Sequence, residues 1–283
     1  MKTAKVTSKN YFSREMQLKY MGVSQFKAFE ACEAAALAEL NGEYERKTTP
    51  ALLVGSYVDA HTEGTLDIFR AKHPEIFKRD GSLKAEYTKA EEIINRIERD
   101  DMMMKYLDGE HQVIMTGIIA DVPVKIKIDA FHPGKMIVDQ KIMRDFAPIY
   151  VPEQGKLTFI EAWGYDLQGA VYQEIVRQNT GKQLPFYIAA ATKETETDIG
   201  IFEVPQNLLD FELEHFAELA PTYQLMKQGV IPADRCEKCD YCKHTKILNK
   251  VISLEELTIN DQQCGFNGSN CTYTRTENNK FRC

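Results

Sequence analysis

The chain has 283 residues, enough to bury a substantial core as one large domain or two small ones. A hydrophobic share of 43% with 27% charged residues describes an ordinary globular protein, and no apolar run approaches the roughly 20 residues of a membrane span. The net charge of −7 argues against a surface that binds nucleic acid everywhere, while leaving room for a local basic groove.

The opening residues Met1–Lys2–Thr3–Ala4–Lys5 lack the apolar centre of a signal peptide, so a cytoplasmic location is expected. The first twenty residues are polar and read as irregular. Ser24 can cap a helix over Gln25–Leu40, ended at Asn41–Gly42, with Phe26, Phe29, Ala36, Leu37 and Leu40 on its apolar face and Cys32 close by. Pro50 suits the first turn of a second helix, on which Leu53, Tyr57 and His61 follow at intervals of four along one stripe. A third helix is expected over Lys89–Tyr106. Strands follow at Val113–Ala120, in a hairpin described below, and at Leu184–Ala191 and Ile199–Val204. Helices are expected between them at Trp163–Gln178 and after them at Gln206–Lys227. Helices before, within and after a small sheet indicate an α/β or α+β domain with a mixed central sheet flanked by helices. From Thr258 to Cys283 apolar periodicity fades, so residues 258–283 read as a polar, irregular tail with no role assigned to Cys264, Cys271 or Cys283.

The hairpin carries chemistry. Lys125–Ile126–Lys127–Ile128–Asp129 and Met136–Ile137–Val138–Asp139–Gln140–Lys141 alternate as strands do and are joined by His132–Pro133–Gly134. Asp139 and Lys141 share a face, opposite Val138 and Gln140, and antiparallel closure can set Asp129 beside Asp139. Two carboxylates that close repel unless a cation lies between them, and Mg²⁺ prefers such oxygen ligands. A solvated hairpin with paired Asp and Lys fits the same residues. Lys125, Lys127, Lys135, Lys141 and Arg144 cluster here, as a phosphate-binding surface would require.

Three further groups stand out. His61 is an acceptable metal ligand, though a histidine on an apolar stripe also fits a hydrogen-bonded core residue. Gln168 and Tyr172, four apart on a helix, share one face and can donate to phosphate or base. Cys236-x-x-Cys239-x-x-Cys242 places three thiols at metal-ligand spacing, with Cys32 or His244 as a fourth.

In order, a helical His61, Asp129, a hairpin, Asp139-x-Lys141 and Gln168-x-x-x-Tyr172 resemble the PD-(D/E)xK nuclease superfamily in its RecB-like branch. Tyr20–Lys27 and Cys32–Ala38 are similar to the phage and prophage exonucleases of the RecE, or exonuclease VIII, type. The resemblance spans roughly residues 10–257, making 1–257 one nuclease domain with a restriction-endonuclease-like core. It implies that His61, Asp129, Asp139 and the carbonyl of Gln140 bind Mg²⁺ or Mn²⁺. It further implies that Lys141 orients or deprotonates the attacking water, and that Gln168 and Tyr172 hold the DNA. Gln140 departs from the usual apolar residue there. The resemblance also implies an exodeoxyribonuclease that degrades linear duplex DNA from an end, 5′ to 3′, for a single-strand annealing recombination partner, with a homo-oligomer as one form. A nuclease for single strands in repair or CRISPR adaptation, and a non-catalytic metal-cluster DNA-binding module, are the competing readings. RecB-like relatives tie an early cysteine to three late ones around a [4Fe–4S] cluster. The shorter last spacing here leaves structural Zn²⁺ open as the alternative, and reduced thiols with no metal fit the same residues.

Overall fold

The computed structural model describes residues 5–46, 50–152 and 154–254, so the tail 258–283 lies outside the described residues. The first elements are α1 (Arg14–Lys19), α2 (Val23–Ala31), α3 (Glu33–Asn41), α4 (Pro50–Thr62) and α5 (Leu66–Lys72). The opening segment is better ordered than its polarity suggests. Ser13 caps α1 by accepting from the Met16 N–H, and Val6, Tyr11 and Met16 bury together.

The single helix expected over Gln25–Leu40 is two. Cys32 takes an extended conformation (φ −169°, ψ 110°), ending α2 and opening α3, which stops at the left-handed Gly42. A sulfur at that break is turned out of the helical stripe. The helix expected over Lys89–Tyr106 also divides, into α6 (Ala85–Glu98) and α7 (Asp101–Leu107). There Asp100 leaves the helix because its carboxylate caps the next one at the Met103 N–H.

The strands are β1 (Glu110–Ile119), β2 (Val122–His132), β3 (Met136–Met143), a short β4 (Ile149–Val151) and β5 (Gly155–Leu157), β6 (Phe186–Thr192) and β7 (Ile199–Glu203). Between β5 and β6 lie α8 (Phe159–Ala162) and α9 (Tyr165–Thr180). The chain continues into α10 (Gln206–Lys227) and α11 (Asp240–His244). Five strands form one mixed sheet in the order β1-β2-β3-β6-β7, while β4 and β5 make a separate two-stranded ribbon that short polar sequence did not announce. Only β3 and β6 are parallel, which demands a crossover, and α8 with α9 supplies it. The β2–β3 turn follows its chemistry: Pro133 precedes Gly134 at φ +72°, and the Lys135 N–H closes onto the His132 carbonyl at 2.9 Å.

Both sheet faces are covered, which is why Phe186–Thr192 reads as an unbroken apolar run. On one face Ile126, Ile137 and Ile188 pack against Val171 and Ile175 of α9, with Phe26 of α2 and Phe216 of α10 behind them. On the other, Ala130, Val138 and Ala189 meet Tyr57 and Val58 of α4 and Ile93 and Ile97 of α6. Ile137 is wholly buried, and truncating it to alanine costs about 2–5 kcal/mol. Helix α9 lies so close to the sheet that a Cβ on Gly169 would stand 2.4 Å from the Phe186 ring. That close approach sets the height of Gln168 over β3.

Candidate active site

Antiparallel pairing between β2 and β3 runs only from His132↔Met136 to Ala130↔Val138. Beyond it β3 follows β6, in register from Ile137 to Met143, and leaves β2. The next residue on each arm of this fork is an aspartate, Asp129 on β2 and Asp139 on β3. A strand fork exposes unpaired backbone groups, and side chains satisfy them here. Asp129 Oδ2 accepts the Gln140 N–H at 3.0 Å, and the Tyr172 hydroxyl donates to the Lys127 carbonyl at 2.9 Å. The segment around Met21 completes the β2 edge through Lys125 N–H to Met21 O at 3.0 Å.

Asp139 is almost wholly buried. Its Oδ1 accepts from Gln168 Nε2 at 2.5 Å. Its Oδ2 receives no directed hydrogen bond and meets the Lys141 ammonium as an ion pair. Burial pushes the Asp139 carboxyl up to about 7, opposed by Lys141 and reinforced by Asp129. The Asp129 carboxyl is also raised by burial, with Lys141 opposing and Asp59 adding to the rise. Burial alone would lower Lys141, but Asp139 and Asp129 outweigh it and hold the ammonium firmly charged. The Lys141 Nζ lies 5.0 Å from the centre of the Tyr165 ring.

Two residues join this site that sequence reasoning passed over. Asp59 on α4 is the first. Burial raises its carboxyl to about 7, while Lys141 and Lys127 lower it and Asp139 and Glu63 raise it, so it feels the charges of the fork. His61 is not paired with these carboxylates. Two residues along a helix turn the side chain by about 200°, and His61 Nε2 meets Glu98 Oε1 at 2.8 Å in a cavity shared with Ile94, Ile97, Leu107 and His111. The stripe Leu53–Tyr57–His61 belongs to the packed side of α4, so the flank holding Asp59 and Thr62 meets β3. Thr62 Oγ1 donates to Gln140 Oε1 at 2.9 Å and satisfies the amide oxygen of that buried glutamine. The usable signal was that polar flank, with Glu63 one turn beyond Asp59.

Lys27 is the second. From α2 its ammonium donates to the Trp163 carbonyl at 2.7 Å and lies 5.4 Å from the Tyr165 ring. Its pKa is lowered by burial, then by Lys141. Gln168 and Tyr172 are both brought to the fork, yet as supports: one orients Asp139, and the other is buried against β2. The basic cluster read from sequence disperses. Lys125 is buried and donates to the Tyr11 carbonyl, Lys135 sits exposed at the turn, and Arg144 pairs with Asp145 at 2.7 Å.

The donor set fits a hard divalent cation. Asp129 and Asp139 offer it two carboxylates at the fork, Asp139 raised to about 7 and carrying a buried oxygen without a directed hydrogen bond, and Asp59 lies within electrostatic reach of both.

A second constellation lies apart from these carboxylates. The Sγ atoms of Cys32, Cys236, Cys239 and Cys242 all fall within 4.8 Å of one another, so Cys32 supplies the fourth thiol, and His244 is exposed outside the group. This group is positioned to hold a metal ion. No helix among the described residues is long and apolar enough to cross a membrane.

Comparison with known proteins agrees with this arrangement. Residues 22–245 match the family model described as a PDDEXK-like domain of unknown function (DUF3799). Comparison with curated proteins gives no match. Among solved structures, the chain is similar to a "putative exonuclease" from Eubacterium rectale, with 48% identity and a TM-score of 0.88, covering 90% of this chain and 99% of that one. The fork carrying Asp129, Asp139 and Lys141 therefore stands in a PDDEXK nuclease fold, and the chain belongs to that PDDEXK-like family.

Proposed function

We propose that the protein is a metal-dependent exodeoxyribonuclease that degrades linear duplex DNA from an end. The single observation that supports this best is the fork itself: Asp129 and Asp139 side by side, with the Lys141 ammonium on Asp139. Asp129 and Asp139, with Asp59 and the Gln140 carbonyl, would hold Mg²⁺ or Mn²⁺. Such an ion supplies Lewis acidity toward the phosphate and lowers the pKa of water. The chain's own residues do the remainder. Lys141 offsets negative charge that grows on the attacked phosphate, from a position that Asp139 fixes. Gln168 holds Asp139 in one orientation, and Tyr172 holds the β2 arm. Lys27, anchored on the Trp163 carbonyl, adds a second cation on the side of Tyr165.

Cleavage from 5′ to 3′, delivery of an overhang to a single-strand annealing protein, and assembly into a homo-oligomer are proposals carried by the resemblance to RecE-type enzymes. The test is incubation of end-labelled linear duplex, covalently closed circular duplex and single strands with protein and Mg²⁺ or chelator. Mg²⁺-dependent release of nucleotides from the linear duplex, with the circle intact, is expected. Preference for single strands would move the reading to a repair or adaptation nuclease, and no Mg²⁺-dependent release from any substrate would end it.

A further inference from the structure

The four thiols are closer together than a cluster allows. Cys32 Sγ lies 3.5 Å from Cys242 Sγ, Cys236 Sγ lies 3.9 Å from Cys242 Sγ, and all four sulfurs fit within 4.8 Å. In a tetrahedral zinc–thiolate site a bond length of about 2.3 Å sets sulfurs about 3.8 Å apart along each edge. In a [4Fe–4S] cubane each thiolate binds a different iron. Its thiolate sulfurs are then separated by an iron–iron edge plus two outward iron–sulfur bonds, a wider spread than these four sulfurs show.

The backbone agrees with a single ion. Cys239 N–H donates to Cys236 Sγ at 3.3 Å, and Cys242 N–H donates to Cys239 Sγ at 3.4 Å. Two successive C-x-x-C turns therefore wind round one point, each aiming an N–H at the sulfur before it. Such N–H···S bonds favour the thiolate form that a metal needs. Four thiolates on a divalent ion leave a net charge of −2, and Arg235 stands beside it, its guanidinium donating to the Cys242 carbonyl at 2.5 Å. The early ligand is equally prepared. The break at Cys32 turns its sulfur to the late cysteines, while the Ala34 N–H donates to the Asp234 carbonyl at 3.0 Å and locks the two segments together. A metal in octahedral oxygen chemistry has no place here, because the four donors are sulfur and tetrahedral S₄ sets suit zinc.

We infer that Cys32, Cys236, Cys239 and Cys242 hold one tetrahedral zinc ion, in place of the iron–sulfur cluster that the resemblance to RecB-like nucleases implies. The ion staples the α2–α3 break to α11 and the segment just before it. Since α2 also carries Lys27, the staple supports the active site from a distance without touching it.

The experiment is metal and sulfide analysis of the full chain, purified anaerobically without chelator or a metal-affinity tag. One zinc per chain, no acid-labile sulfide and a colourless solution are expected. Exchange with Co²⁺ should give the visible bands of a tetrahedral site and thiolate-to-cobalt charge transfer. Cys239→Ser and Cys32→Ser should each lower zinc retention. Iron with acid-labile sulfide and a brown chromophore overturns the inference. So does metal-free protein whose four thiols all react freely under native conditions. Neither outcome bears on the nuclease reading, whose ligands are the carboxylates of the fork.

Discussion

Among the described residues, two sets of side chains have the chemistry to ligate a metal, and they are built in opposite ways. The oxygen set stands on β2, β3 and α4, around a fork in the sheet, and burial raises the pKa of its carboxyls. The sulfur set stands on a helix break and on α11 with the loop before it, near the other end of the described chain, and its four donors already close round one point. A structural metal site gains from closure, because every ligand position is filled by protein. A site for chemistry needs an open position for water and substrate, and it keeps charge that folding alone would remove. The oxygen set stands where β3 is paired with β6 and packed by α9.

The largest expected effect comes from removing charge at the fork. Asp139→Asn should lower nucleotide release from end-labelled duplex by about 10³-fold or more, with circular dichroism unchanged. A variant that cleaves normally would show that the two regions do not divide chemistry from structure. Next, Asp59→Asn should reduce the rate by roughly 10–100-fold, whereas His61→Ala should change it by no more than about 3-fold. The reverse ranking would return the ligand role to the histidine.

At the sulfur set, Cys239→Ser should lower the Tm by roughly 10 °C through loss of the bound ion. Activity should fall only as folded protein is lost. A Tm unchanged by this substitution would leave the cysteines without a structural task.

The smallest effect is a pH dependence that belongs to the oxygen set. Asp59 and Asp139 have folded values raised to about 7. In the metal-free protein the native state then binds more protons than the unfolded chain between about pH 4 and 7, so stability falls as pH rises through that window. Mg²⁺ competes with those protons. Adding Mg²⁺ should thus raise the Tm by a few degrees at pH 8 and hardly at all at pH 5. Equal gains at both pH values would place the ion elsewhere.

Much of this was legible from local pattern. The period of two along β3 put Asp139 and Lys141 on one face, Pro133–Gly134 announced the turn, and a spacing of four set Gln168 above Tyr172. Three thiols at intervals of three named the second site. Other features were not legible. The stripe Leu53–Tyr57–His61 is correct as a helical face, but its direction depends on what α4 packs against, and the packed face took His61 away from the fork. The buried Lys125 read as a surface charge because nothing local reveals that Tyr11 folds over it. The helix through Cys32 looked continuous, since its propensity and apolar spacing persist across the break.

Sequence by itself determined which residue types could do the chemistry and which of them share a strand or helix face, because side-chain periodicity is a property of the local backbone. Tertiary structure alone decided that His61 pairs with Glu98 while Thr62 meets Gln140 of β3, that β2 and β3 part just where the two aspartates stand, and that Cys32 closes on sulfurs more than two hundred residues away. Those outcomes turn on long-range packing and on satisfying buried polar groups, neither of which has a period along the chain.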